Sequence, residues 1–334
     1  MYVISSWFYS SPQGEDFDYP GMGLKSSDQF FQLNYFRCVL NFFASAYFNA
    51  SKNNINLFKF QFFYNQLPSF VVEIEFLKIM EIFNVELIIF EPSPLPDFVT
   101  DGKLQFGSQF YEFDVVDQIL KTNSSSDVIL LVDNDCIILN DLEKIFSLVS
   151  INNSCETVIV QPCHNNEDVI QGNKVGTLHA LSNLMCVGDS FRPYVHRGGE
   201  YIFMNYDTLF VFHQMVIKVH KENIKFAQSG NDFFTTEEQI FSQVYRFMPI
   251  VLDSGYLKRS WTDPNTFCNS DSSDLTKHIL HLPADKQRGL KVLFDQFYNG
   301  YKDLNDNKSI QSLGSIYSQD NLINIFPSFL STKS

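Results

Sequence analysis

The chain has 334 residues and a formal charge of −14 at pH 7, enough length to bury a large core as one large domain or two small ones. That charge balance argues against a nucleic-acid binder, which needs a basic face to neutralise phosphates. The six cysteines are scattered without a C-x-x-C pair, so neither a zinc site nor a disulfide framework is suggested.

Tyr2–Ser5 reads as a first short strand. Asp28–Phe48 carries Phe30, Phe31, Leu33, Phe36, Val39, Leu40 and Phe43 at helical spacing and predicts a helix that is apolar over most of its surface. Ile55–Phe63 alternates as a strand, Phe70–Phe83 is helical, and Val85–Phe90 is a continuous apolar strand. Phe106–Leu120 predicts a helix, and the apolar run Val128–Val132 predicts a fully buried strand. Alternating strands and helices over the first half imply a mostly parallel sheet with helices on both faces.

The second half is less regular. Thr157–Gln161 and Tyr201–Asn205 read as strands, and Asn165–Ser190 as a long loop region with some structure. Phe234–Arg246 predicts a helix, with Glu237 and Glu238 in its first turn. Ile250–Leu252 reads as a strand, followed by a loop to about Asp274, and His278–Leu282 as a short strand. Cys136 and Cys186 sit in apolar runs and read as reduced core residues. Met1–Trp7 lacks the basic and apolar parts of a signal peptide, and no segment approaches the ~20 apolar residues of a membrane span. The expected location is the cytoplasm, with at most peripheral membrane association and secretion as an effector left open.

The most informative segment is Val128–Val132 followed by Asp133-Asn134-Asp135 and then a second apolar run, Cys136–Leu139. A buried parallel strand ends at a sheet edge where ligands bind, so Asp133 and Asp135 project into a crevice. In extended geometry residues i and i+2 share a face, so both carboxylates can converge on one point. Two carboxylates that close repel unless a cation lies between them. A divalent metal carrying a diphosphate is the economical occupant, although a bare Asp-x-Asp is also ordinary turn composition. Asn140-Asp141 then opens an amphipathic helix.

From these residues the chain resembles the GT-A-fold nucleotide-sugar glycosyltransferases, closest in pattern to the retaining glycogenin-like and lipopolysaccharide galactosyltransferase-like group. Three segments carry the resemblance: Leu130–Leu142, Gly198-Gly199-Glu200-Tyr201-Ile202-Phe203-Met204-Asn205, and His278-Ile279-Leu280-His281-Leu282-Pro283-Ala284-Asp285-Lys286. Between the last two, Thr235–Phe241 sits where the group has an acidic helix start. The late motif departs from the pattern, with Leu282 and Gln287 where the group has Gly and an aromatic. No basic residue is offered in Tyr111–Asp114 either.

The resemblance implies an α/β fold with a Rossmann-like, mostly parallel sheet flanked by helices. It implies one domain over 1–300, with a nucleotide-binding half at 1–142, an acceptor-side half at 143–300 and a peripheral tail at 301–334. A Mn²⁺ (or Mg²⁺) ion would be held by Asp133, Asp135 and His281, with His278 as the other possible imidazole. Lys286 would meet the leaving phosphate. Trp7 and Tyr9 would stack on uracil or serve as core aromatics, and Asn134, Gly198 and Gly199 would approach the UDP-sugar. Glu200, Glu237 and Glu238 are the carboxylates available near the sugar. The implied activity moves a hexose from a UDP-sugar to a glycan or protein hydroxyl, with retention.

Two other readings remain. A haloacid-dehalogenase-like phosphatase would use Asp133 as nucleophile, but it expects a small-residue loop after the pair and a further Asp after Gly188-Asp189, which Ser190–Val195 lacks. A GT-A-like binding module that has lost catalysis is the non-enzymatic alternative.

Overall fold

The computed structural model describes residues 1–17, 19, 23–52, 54–100, 104, 106–161, 165–185, 192–263, 267–304 and 309–330. Cys186, Gly188, Asp189 and the first two residues of 190–195 lie outside these, as does the end of the loop region expected at 165–190.

Strand β1 (Tyr2–Phe8) leads into helix α1 (Gln29–Asn49), then β2 (Phe58–Tyr64), α2 (Phe76–Ile82), β3 (Val85–Ile89), α3 (Glu112–Thr122) and β4 (Val128–Val132). After the acidic pair come β5 (Cys136–Ile138), α4 (Glu143–Asn152), β6 (Cys155–Glu156), α5 (Val175–Leu184) and β7 (Tyr201–Asn205). The chain continues through α6 (Tyr206–Gln228), α7 (Glu237–Tyr245), β8 (Val251–Leu252), β9 (Leu257–Arg259), β10 (Ile279–His281), α8 (Gly289–Lys302) and α9 (Gln319–Ile325).

A seven-stranded sheet in the order β8-β6-β7-β4-β1-β2-β3 forms the centre of a mixed α/β fold flanked by helices. β1 pairs in parallel with β2 and β4, and β2 with β3, whereas β7 runs antiparallel to β4 and β6. β4 is buried along its whole length, as expected of an apolar run covered on both faces. A smaller three-stranded sheet, β9-β10-β5, stands beyond the end of β4.

Three elements differ from the expected ones. The helix expected at Phe70–Phe83 is split, because Glu75 takes a left-handed conformation (φ 51°) between a 3₁₀ turn and α2. The start of the helix expected at Phe106 is likewise a 3₁₀ turn, Gly107–Tyr111. The stretch expected as a loop up to Asp274 contains β9, too short for its period to register but completed by β10 as its partner. Two further long helices, α6 and α8, bury Leu209, Phe212, Val216 and Val219, and Leu290, Leu293, Phe294 and Phe297.

Helix α1 runs beneath the junction of the two sheets, and its polar residues tie it there. Ser45 Oγ accepts from the Ile138 amide at 3.0 Å, Asn49 Nδ2 donates to the Ile138 carbonyl at 2.9 Å, and Asn41 Nδ2 to the Leu290 carbonyl at 2.7 Å. In the segment read as a tail, Tyr317, Leu322, Phe326 and Phe329 are buried, and the Tyr317 hydroxyl donates to Asn41 Oδ1 at 3.0 Å. Among the described residues, no helix is long and apolar enough to cross a membrane. Cys136 is buried and unpaired in a disulfide.

Candidate metal and donor site

Asp133, Asn134 and Asp135 form a tight turn, closed by a 3.2 Å hydrogen bond from the Cys136 amide to the Asp133 carbonyl, where extended geometry was expected. The turn still directs both carboxylates to one place. It is pinned on either side: the Asp133 amide donates to the Glu200 carbonyl at 3.1 Å, and the Asp135 carbonyl accepts from the Leu282 amide at 3.0 Å. Asn134 lines the same cleft, its Nδ2 donating to the Trp7 carbonyl at 3.0 Å.

The small sheet brings the imidazole. β10 runs antiparallel to β5 with His281 opposite Cys136, and parallel to β9 with His281 opposite Arg259. His281 Nε2 thereby lies 3.2 Å from Asp135 Oδ1 and 3.9 Å from Asp133 Oδ2. One donor atom from each of Asp133, Asp135 and His281 falls within 4.8 Å of the others. His278 points elsewhere, its Nδ1 lying 2.7 Å from the Asp141 carbonyl.

Lys286 pairs with Asp135 Oδ2 and sits 5.3 Å from the centre of the Tyr35 ring. Burial alone would raise the Asp135 carboxyl, but Lys286 and His281 overrule it and hold it far below the carboxylate range. Burial and the adjoining Asp135 charge instead push Asp133 up to about 7. Burial opposes a charge on His281 as well, yet Asp135 and Glu200 lift its imidazole to about 9. Asp135 thus holds its charge against Lys286 and His281, while Asp133 is the carboxyl that burial and its neighbour keep from ionising fully.

A cleft opens over this cluster, walled by Trp7, Tyr9, Tyr19, Glu237, Trp261 and Lys286 among others. Trp7 and Tyr9 are nearly buried yet line it, Trp7 edge-on to Phe90 and Tyr9 held by a 2.6 Å hydrogen bond from its hydroxyl to Glu15. Gly198 and Gly199 accommodate protein atoms. A Cβ on Gly198 would fall 1.9 Å from Glu200 Oε2, and one on Gly199 2.9 Å from Glu238 Cγ.

Glu200 and Glu238 share Arg259, which lies in the stretch expected as a loop. Its Nε and Nη2 grip Glu200 at 2.8 Å and 2.6 Å, and Nη2 also reaches Glu238 Oε1 at 3.1 Å. Glu238 Oε2 further accepts from Gln171 Nε2 at 2.7 Å and lies 3.2 Å from His196 Nε2. Burial works against ionisation of Glu200, but Arg259 and His281 hold it down to about 2. Glu237 differs. Its Oε2 is buried without a hydrogen-bond partner, and burial together with the Glu238 charge raises its carboxyl well above the usual range. Arg259 carried a weak sequence signal, since Leu257-Lys258-Arg259 is one short apolar–basic step in a polar stretch.

No protein-family model and no curated protein matches the chain. Among solved structures it is similar to the apo structure of WbbM, a bifunctional glycosyltransferase, at 12% identity with a TM-score of 0.49. The likeness covers 84% of this chain and 45% of that one, so the chain spans less than half of its length.

Proposed function

We propose that the chain is a metal-dependent glycosyltransferase of GT-A type that moves a hexose from a UDP-sugar to a hydroxyl of a glycan or protein acceptor. The observation that carries this reading is the convergence of Asp133, Asp135 and His281 at the end of a buried parallel strand. Two carboxylates and one imidazole suit Mn²⁺, or Mg²⁺ with water completing its shell. A cation there would offset the burial and the Asp135 charge that raise Asp133, and so favour its ionised form. Bound there, it would neutralise charge on the donor diphosphate as a Lewis acid.

The remaining roles follow from chemistry at the cleft. Lys286, a point charge already facing the cluster, would pair with the leaving phosphate. Trp7 and Tyr9, at the end of β1, offer aromatic surface to the uracil. Glu237, with an unpartnered oxygen in the cleft wall, is the carboxylate best placed to meet a sugar hydroxyl. Glu200 and Glu238 are engaged by Arg259 and are poor general bases. A shortage of free, ionised carboxylates favours retention, with the departing diphosphate itself accepting the acceptor's proton.

The domain over 1–300 would act as one unit in this reading, with the nucleotide on the side of β1 and the acceptor on the side of α7. The test is thermal protection by UDP with and without Mn²⁺, followed by hydrolysis of a panel of nucleotide sugars. UDP protection that needs Mn²⁺ supports the proposal. Protection by neither, with phosphate-ester hydrolysis in its place, would return the phosphatase reading.

A further inference from the structure

Arg259, Glu200 and His281 form a continuous line of contacts leading into the cluster. Glu200 has a fully buried carboxylate, and both its oxygens are taken by the planar fork of Arg259. The Glu200 Oε1 that meets Arg259 Nε also lies 3.4 Å from His281 Nδ1, an ion-pair contact without the alignment of a directed hydrogen bond. With Nδ1 turned to Glu200, the imidazole presents Nε2 to Asp133 and Asp135.

We infer that Glu200 and Arg259 are positioning residues for the metal ligand His281, and that Arg259 joins the metal end of the cleft to its Glu238 wall. This rests on the metal-dependent reading above. Three independent features of the chain support it.

The backbone sets the register first. Arg259 and His281 are partners in parallel strands, the Ser260 amide donates to the His281 carbonyl at 2.8 Å, and the Asp133 amide donates to the Glu200 carbonyl. Each element that supplies a ligand is thus tied to an element that supplies one of the pair.

Space is the second. The Glu200 side chain folds back over residue 198, where only glycine leaves room, because a Cβ there would overlap its carboxylate. Glycine at 198 therefore permits the one conformation that serves both Arg259 and His281.

Energetics is the third. A buried ion pair contributes little net stability against its desolvation cost, so stability alone is a weak reason for this arrangement. An imidazole ligand whose second nitrogen faces a carboxylate is held in orientation and made more basic, and losing that partner typically weakens metal binding 10–100-fold.

The experiment uses the full chain and measures Mn²⁺ affinity by the electron paramagnetic resonance of free Mn²⁺. Melting in chelator checks the fold. Glu200→Gln and Arg259→Met are expected to raise the Mn²⁺ Kd about 10–100-fold, with Arg259→Lys between them and wild type. Gly198→Ala, which changes no charge, should weaken binding in the same direction. The double variant Glu200→Gln/Arg259→Met should be no weaker than the weaker single, because the two act through one ligand. That variant removes the Glu200–Arg259 pair together but still takes Arg259 from Glu238, so Glu200→Gln, which leaves Arg259 on Glu238, is the variant that reads positioning apart from destabilisation.

Folded variants that bind Mn²⁺ within about twofold of wild type, beside an Asp135→Asn control that has lost it, would overturn the inference and leave the metal-dependent reading standing. Absence of Mn²⁺ and Mg²⁺ binding by the wild-type chain would remove both.

Discussion

His281 and Cys136 face each other across antiparallel strands, and this pairing carries an imidazole from late in the chain to the carboxylate of Asp135. The cluster is thus assembled at the meeting of two sheets. The large sheet contributes Asp133 and Asp135 at the end of β4, and the small one contributes His281, with Lys286 in the turn that follows.

Asp133→Asn and Asp135→Asn should each lower the proposed glycosyl transfer by at least about 10²-fold, through loss of the Lewis-acid role proposed for a cation at this site. They should part company in metal-free protein. Asp133→Asn relieves the half-buried Asp133 of its repulsion by Asp135 and is expected to leave the melting temperature in chelator unchanged or higher. Asp135→Asn strips Lys286 and His281 of their shared partner and should lower it. Melts in chelator, compared with turnover after Mn²⁺ is restored, check both halves.

Lys286→Ala should weaken UDP binding by roughly tenfold, the size of one lost charge-assisted contact. UDP titrations of the folded variant in Mn²⁺ buffer measure this. Unchanged UDP affinity would confine Lys286 to neutralising Asp135.

His220 gives the fold an acid-sensitive point away from the site. Its ring packs 5.4 Å from Phe110 and 5.0 Å from Phe113, and burial pushes its pKa down to about 4. Between that value and the ordinary 6.5, the unfolded chain binds a proton that the folded chain refuses. Stability supplied by the neutral ring is complete above pH 6.5 and is lost as pH falls toward 4, by at most about 3 kcal/mol. His220→Phe should flatten this part of the stability–pH curve in urea unfolding at pH 7, 6, 5 and 4.

The C-terminal segment should matter to stability. Phe326 packs on Gly289 at the start of α8, where a Cβ would overlap its ring, and Phe329 is fully buried. Phe329→Ala is expected to cost about 3–5 kcal/mol, read from urea unfolding. Truncation after residue 304 should cost more. A truncated chain with the wild-type midpoint would show the segment to be an appendage.

Retention of configuration is read from the product. Proton NMR of the first-formed glycoside from an α-linked UDP-sugar should show the α-anomer. A β-anomer would call for a general base, and Glu237, with its unpartnered oxygen, would be the first residue to replace.

The sequence by itself determined the strand–helix alternation of the first half, because buried parallel strands and amphipathic helices write their burial directly into local periodicity. It also marked Asp133 and Asp135, whose spacing after an apolar strand is a local signal. What only the tertiary structure decided lies in contacts distant along the chain. Arg259 reaches Glu200 and Glu238 because β9, three residues long, gains its register from β10. So short a strand shows almost no period, and an arginine in a polar stretch looks like any solvated charge until its partners arrive from residues 59 and 21 positions away. The roles of Gly198 and Gly199 were hidden for the same reason. A glycine announces that space is needed, but only the folded chain shows that Glu200 and Glu238 fill it.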